Sequence, residues 1–210
     1  MTATELGRRE RKKQLLRERI WVEAIALIKH EGVERATIDA ICERVDIAKK
    51  TFYNYYNSKH DLLIDLCQSE LLNRNDELID EALRGSDQLA SQLDRIFTEF
   101  AKRNQSAQKL DRELIDYMVG SLSDNRSEGG GQLTFMNQCF LRLFQAGHSQ
   151  IRPELTPTFC AEMTVGMTNA ITLNWLHDKK YDTENNFLQL LAFLKSSMLR
   201  ADSSNTITVN

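Results

Sequence analysis

Apolar residues recur along almost the whole chain at three- and four-residue steps, the spacing of one helix face. Leu16, Ile20, Ala24, Leu27 and Ile28 form the first stripe, and Gly32 follows where a helix would close. Thr37 is a suitable N-cap for a second helix bearing Ile38, Ile41, Cys42 and Val45. Asp46 then falls where the chain must turn, a place Asp tolerates well. A short third helix is predicted over 48–56. Asn57 and Ser58 break it, and Ser58 can cap the next. Further helices are predicted over 58–83, 87–104, 107–123, 132–146, 156–177 and 183–199, with Gly85 and Gly147 as stops and 125–131 as the clearest loop. The expectation is an all-α fold: a three-helix head over 1–57 that opens with a basic arm at 1–13, a helical body over 58–201, and a disordered tail at 202–210.

The third helix has two unlike sides. At about 100° per residue, Ala48, Phe52 and Tyr56 gather on one side, with Lys49, Lys50, Tyr53 and Asn54 opposite and Thr51 and Tyr55 on the flanks. One side can pack against the first two helices. The other holds cations, an amide and hydroxyls, the groups that contact phosphates and base edges in a major groove. A short aromatic core helix explains Phe52 and Tyr56. It does not explain three tyrosines in four positions beside two lysines. Helix, tight turn and helix within about 20 residues is helix-turn-helix spacing.

Charge sharpens this picture. The net charge of −3 divides into +4 over residues 1–60 and −7 over the remainder. A basic end on an acidic body fits a nucleic-acid reader, although a solvated basic helix fits the charge alone equally well. Cys42, Cys67, Cys139 and Cys160 lack CxxC spacing and sit among apolar residues, so buried free thiols are expected. No apolar run approaches a membrane span, and a cytoplasmic protein is expected. None of the four histidines has a Glu three residues before it, and no HExxH, P-loop or GxSxG occurs, so neither an enzyme nor a metal or other cofactor is expected.

The run from Val45 to Tyr56, followed by Ser58-Lys59-His60-Asp61-Leu62-Leu63, resembles the TetR-family signature over about residues 16–63. That resemblance implies phosphate contacts from Thr37 and Lys59, and a DNA-facing set of Lys49, Lys50, Thr51, Tyr53 and Tyr55, joined by Asn54 from the wheel. Three departures stand out. Asp46 replaces a turn Gly, Ala48 replaces a common Ser cap, and Lys50 stands where Gly or Pro is frequent.

For the body, the resemblance implies dimerisation and effector binding. The last two stripes, Phe159, Met163, Gly166, Met167 and Ala170, then Phe187, Leu190, Leu191, Leu194 and Met198, are the expected homodimer interface. Phe97, Phe100, Met118, Phe135, Phe140 and Trp175 are the expected lining of a pocket for an apolar or aromatic effector, with plain core as the competing reading. The expected function is a regulator, as a repressor, that binds double-stranded palindromic operator DNA as a dimer and is released by a small molecule. The alternative is a helical protein-interaction module with no effector or a vestigial head. Lys49, Lys50 and Lys59 argue against that alternative.

Overall fold

The computed structural model describes residues 7–105, 107–123 and 129–200, and these are helical apart from short connections. Ten α-helices follow in order: α1 (Arg8–Glu31), α2 (Ile38–Val45), α3 (Lys49–Tyr53), α4 (Lys59–Cys67), α5 (Asn73–Gly85), α6 (Leu89–Gln105), α7 (Lys109–Ser123), α8 (Gly129–Ala146), α9 (Pro157–His177) and α10 (Thr183–Met198). No helix among the described residues is long and apolar enough to cross a membrane.

The chain divides into two compact units. The first takes Met1–Leu71 together with Gln108–Gly120; the second takes Leu72–Ala107 and Ser121–Asn210. The first unit therefore reaches past residue 57 and recruits a distant piece of chain. Its core joins Ile20, Leu27 and Ile28 of α1, Ile41 and Val45 of α2, Phe52 of α3 and Leu62 and Leu66 of α4 to Leu110 and Leu114 of α7. Local chemistry sets its corners. Thr37 Oγ1 accepts from the Ala40 amide at 3.2 Å and starts α2. Ser58 does the same for α4, accepting from the Asp61 amide at 3.1 Å. Gly32 closes α1 at φ +95°, where a side chain would be strained and would press on the Glu113 carboxylate. That carboxylate accepts from the Val33 amide at 2.8 Å, fastening α7 to the end of α1.

The second unit centres on Phe97, Phe140, Leu143, Phe144, Phe187 and Leu194 from α6, α8 and α10, with Cys160 and Val165 from α9. Gly147 ends α8 at a close approach: a Cβ there would meet Leu89 at 2.8–2.9 Å. An isolated antiparallel bridge, Ile151 with Leu199, ties the α8–α9 connection to the end of α10.

Three expectations are corrected. Residues 8–13 begin α1 as helix rather than forming an arm, because Arg, Lys and Glu are good helix formers and no breaker intervenes; residues 1–6 lie outside the described residues. The helix expected over 58–83 is interrupted by a π-helical turn, Gln68–Leu72, a wider winding that no apolar spacing announces. Gly129, Gly130 and Gly131 lie in the first turn of α8 and not in a loop; the rest of that loop and the 202–210 tail are outside the described residues.

Candidate nucleic-acid interface

Asp46 makes the turn between α2 and α3 from the left-handed region, φ 56° and ψ 56°, and its amide donates back to Glu43 at 3.2 Å. Ala48 occupies the cap position of α3 in extended geometry, with no side chain to bond the first turn. A five-residue helix without a cap depends on packing for its existence. Phe52 supplies it, fully buried and edge-on to Tyr53 at 5.8 Å between centroids.

With Phe52 and Tyr56 turned inward, the opposite side of α3 faces out. Lys49, Lys50, Tyr53 and Asn54 are exposed, Tyr53 at 49 %, while Thr51 and Tyr55 are half-buried on the flanks. Thr37 is also exposed, at the start of α2. Lys49 Nζ pairs with Asp39 at 2.6 Å across α2 and α3; the hydrogen bond to Asp39 holds its ammonium above the ordinary lysine range. Lys59 is engaged differently. Its ammonium donates to the Val33 and Glu34 carbonyls at 2.5 and 3.2 Å, and burial pushes its pKa down.

Sequence reasoning missed what holds this surface in place. The Tyr56 hydroxyl donates to Asp65 at 2.7 Å and accepts from Trp21 Nε1 at 2.6 Å and Arg17 Nε at 3.2 Å. Arg17 also reaches both Asp65 oxygens, at 2.8 and 2.6 Å. Burial and the Asp65 hydrogen bond push the Tyr56 phenol up to about 12. The available signal was chemical: a tyrosine on an apolar helix side needs a partner for its hydroxyl. Arg19 was missed too. It donates to the Val45 carbonyl at 2.8 Å, beside the turn.

The residues expected to line one effector pocket are divided. Phe97 lies within 5.7, 6.5 and 6.3 Å, centroid to centroid, of Phe100, Phe140 and Phe187 in the second unit. Trp175 is buried and Phe135 half-buried in that unit, where Phe135 lines a groove of about 390 Å³ with Cys139, Leu141 and Arg142. Met118 packs in the other unit, against the core that contains Leu110 and Leu114.

The expected dimer face divides as well. On α9, Phe159, Met163, Gly166 and Ala170 are exposed and Met167 is half-buried. On α10, Phe187, Leu190, Leu191, Leu194 and Met198 are buried in the chain's own core, so that stripe is not a free surface. The large apolar side chains that α10 leaves in solvent are Leu188 and Phe193, and α9 adds Leu173.

Residues 20–66 match the model of the bacterial regulatory proteins, tetR family. A curated relative, the fatty acid metabolism regulator protein of Bacillus subtilis (strain 168), is 23 % identical over 175 residues, which cover 80 % of this chain and 89 % of that protein. Two solved structures share the fold, each with a TM-score of 0.71. SmeT, the repressor of the Stenotrophomonas maltophilia multidrug efflux pump SmeDEF, is 16 % identical, over 89 % of this chain and 91 % of its own. Thermus thermophilus FadR, a transcriptional repressor in complex with lauroyl-CoA, is 18 % identical, over 90 % and 97 %.

Proposed function

We propose that this chain, whose residues 20–66 match the tetR-family model and whose fold is shared with a solved TetR-family repressor, is a homodimeric repressor that reads a palindromic operator and releases it on binding an apolar small molecule. The observation that carries the DNA reading is the outward face of α3. Two lysines, a tyrosine and an asparagine stand free of the core directly after a left-handed turn, on a helix anchored by one buried phenylalanine. Lys49 and Lys50 neutralise phosphate or bond guanine, Asn54 bonds adenine edges, and Thr37, Thr51, Tyr53 and Tyr55 offer hydroxyls to phosphate oxygens. Lys59 serves indirectly. By holding the Val33 and Glu34 carbonyls, it fixes the segment that presents Thr37.

Dimerisation rests on the apolar side of α9, with Phe159, Met163, Gly166, Ala170 and Leu173, extended by Leu188 and Phe193 of α10. A monomer would leave this strip in water, whereas a two-fold pairing of α9 and α10 with their copies covers it. Effector binding rests on the second unit's aromatic core and on the relatives, one of which is named for fatty acid metabolism and another of which was solved with lauroyl-CoA.

Selection of bound duplexes from random DNA by the purified protein tests the reading. The expected outcome is an inverted repeat whose half-site centres lie about 10–10.5 base pairs, or a multiple, apart. Enrichment of no sequence, together with no retention of duplex DNA at low salt, would overturn it.

A further inference from the structure

Four neutral polar side chains lie on the buried arcs of α8 and α9, helices that pack along one another, and their hydrogen-bonding capacity is unmet. Gln132 is 7 % exposed, and neither its amide oxygen nor its amide nitrogen has a protein partner. Thr164 is completely buried with its hydroxyl unpartnered, and Thr168, one turn along the same face, is also without one. Asn137 Oδ1, at the edge of the buried arc of α8, completes the set. A helical threonine ordinarily settles its hydroxyl on the carbonyl four residues back. Thr172 does so on this very helix, donating to the Thr168 carbonyl at 3.0 Å. Thr164 and Thr168 do not.

A buried polar group without a partner carries its desolvation cost uncompensated. Such groups gathered on two packed helices mark a place where something other than this chain supplies the partners. The charge of the surroundings narrows what that is. Arg142, the charged side chain of α8, is exposed and paired with Asp76 and Asp80. Glu162 and His177 of α9 are exposed as well. The buried arcs themselves hold aromatic, aliphatic and thiol side chains, with Phe140, Phe144, Cys160 and Ile171 among them.

We propose that the effector site runs along the α8–α9 seam, and that its ligand is an uncharged amphiphile whose carbonyl or hydroxyl group bonds Gln132, Asn137, Thr164 and Thr168 while its apolar chain lies against the phenylalanines. The inference rests on the reading that the second unit binds an effector. It adds the ligand's charge and the residues that recognise it. Among the described residues, the buried arcs of α8 and α9 hold no charged side chain, so a free carboxylate or a cation would enter them without a counter-charge there, at a large desolvation cost.

Calorimetry on the full chain tests the assignment with four probes of equal chain length: 1-decanol, methyl decanoate, decanoate and decyltrimethylammonium. At least one neutral probe is expected to bind, with both charged probes at least tenfold weaker. Thr164→Val keeps the shape and removes the unmet hydroxyl. It is therefore expected to raise the melting temperature of the ligand-free protein while weakening the neutral probe several-fold, and Gln132→Leu added to it should weaken binding further. Failure of both neutral probes, equal binding of decanoate, an unchanged affinity in Thr164→Val, or a lowered melting temperature in that variant would each overturn the proposal. Gel-shift measurements on the selected operator without probe, run in parallel, separate a failed ligand assignment from a failed DNA reading.

Discussion

At the scale of single residues, the outward face of α3 carries an anion beside its first cation. Asp39 holds Lys49 Nζ at 2.6 Å, and both side chains are well exposed, so solvent screening leaves the pair little weight in folding. Near a phosphate the same carboxylate is a repulsive charge. We predict that Asp39→Ala leaves the melting temperature essentially unchanged and tightens operator binding, whereas Lys49→Ala weakens it and lowers the slope of log K against log salt by about 0.9. Binding isotherms across a salt series check both. The outward set on α3 was legible from the wheel because a helix with one apolar side has its other side in water. The ion pair was not, because it joins two helices whose relative rotation depends on the turn at Asp46.

Several buried groups give the stability curve an alkaline limb, with Cys67 and Tyr56 joined by Cys139, whose thiol burial likewise pushes up to about 12. Burial pushes the Cys67 thiol up to about 12 from 9.0, and burial together with the Asp65 hydrogen bond pushes the Tyr56 phenol up to about 12 from 10.0. Both folded-state values lie above the unfolded ones. The native state therefore keeps its protons where the unfolded chain has lost them, and stability falls as pH rises from about 9 toward 12. Urea titrations at intervals across this range should show the decline, and Cys67→Ala should make it shallower. An alkaline limb as steep in Cys67→Ala as in the parent would assign the loss elsewhere.

At the scale of elements, α3 and α10 show what an apolar stripe does and does not reveal. Both stripes mark a face that leaves water, except that Ala48, at the cap position of α3, stays exposed. The stripe of Phe187, Leu190, Leu191, Leu194 and Met198 does not say whether the covering surface belongs to the same chain or to a copy. Here it is the same chain, and the exposed Leu188 and Phe193 stand directly beside the stripe's own Phe187 and Leu194, at positions the stripe passes over. We predict that Leu194→Ala destabilises the fold by about 2–5 kcal/mol, as truncation of a fully buried leucine does. Phe193→Glu, at a residue 51 % exposed, should leave the melting profile of the chain intact and shift its sedimentation from dimer to monomer. For α3, Phe52→Ala should cost about 3–5 kcal/mol and abolish operator binding, since the helix has no cap to fall back on. Met118 teaches a related lesson. Its stripe on α7 was readable, but α7 is divided between two units, and periodicity carries no information on which core a helix end enters.

At the scale of the whole molecule, the charge division of +4 on residues 1–60 against −7 elsewhere acts beyond individual contacts. The basic end is drawn toward a polyanion while the acidic remainder is repelled, which orients the encounter and makes its rate depend on ionic strength. Stopped-flow association with operator duplex should slow steeply between low and physiological salt. A rate that ignored salt would remove orientation by charge from the account. The all-α fold class and most of the helices were legible from periodicity and punctuation. The π turn at Gln68–Leu72 and the membership of residues 108–120 in the first unit were not, because both depend on contacts between segments far apart in the chain.

Leu110 and Leu114 fill the same core as Ile20, Phe52 and Leu66, so a nascent chain stopped after residue 71 holds most of the first unit's sequence but not its whole interior. On the ribosome, the first unit's core closes only after some fifty further residues have been synthesised, and a graft that transplants residues 1–71 alone onto another protein would carry an apolar wound where α7 belongs.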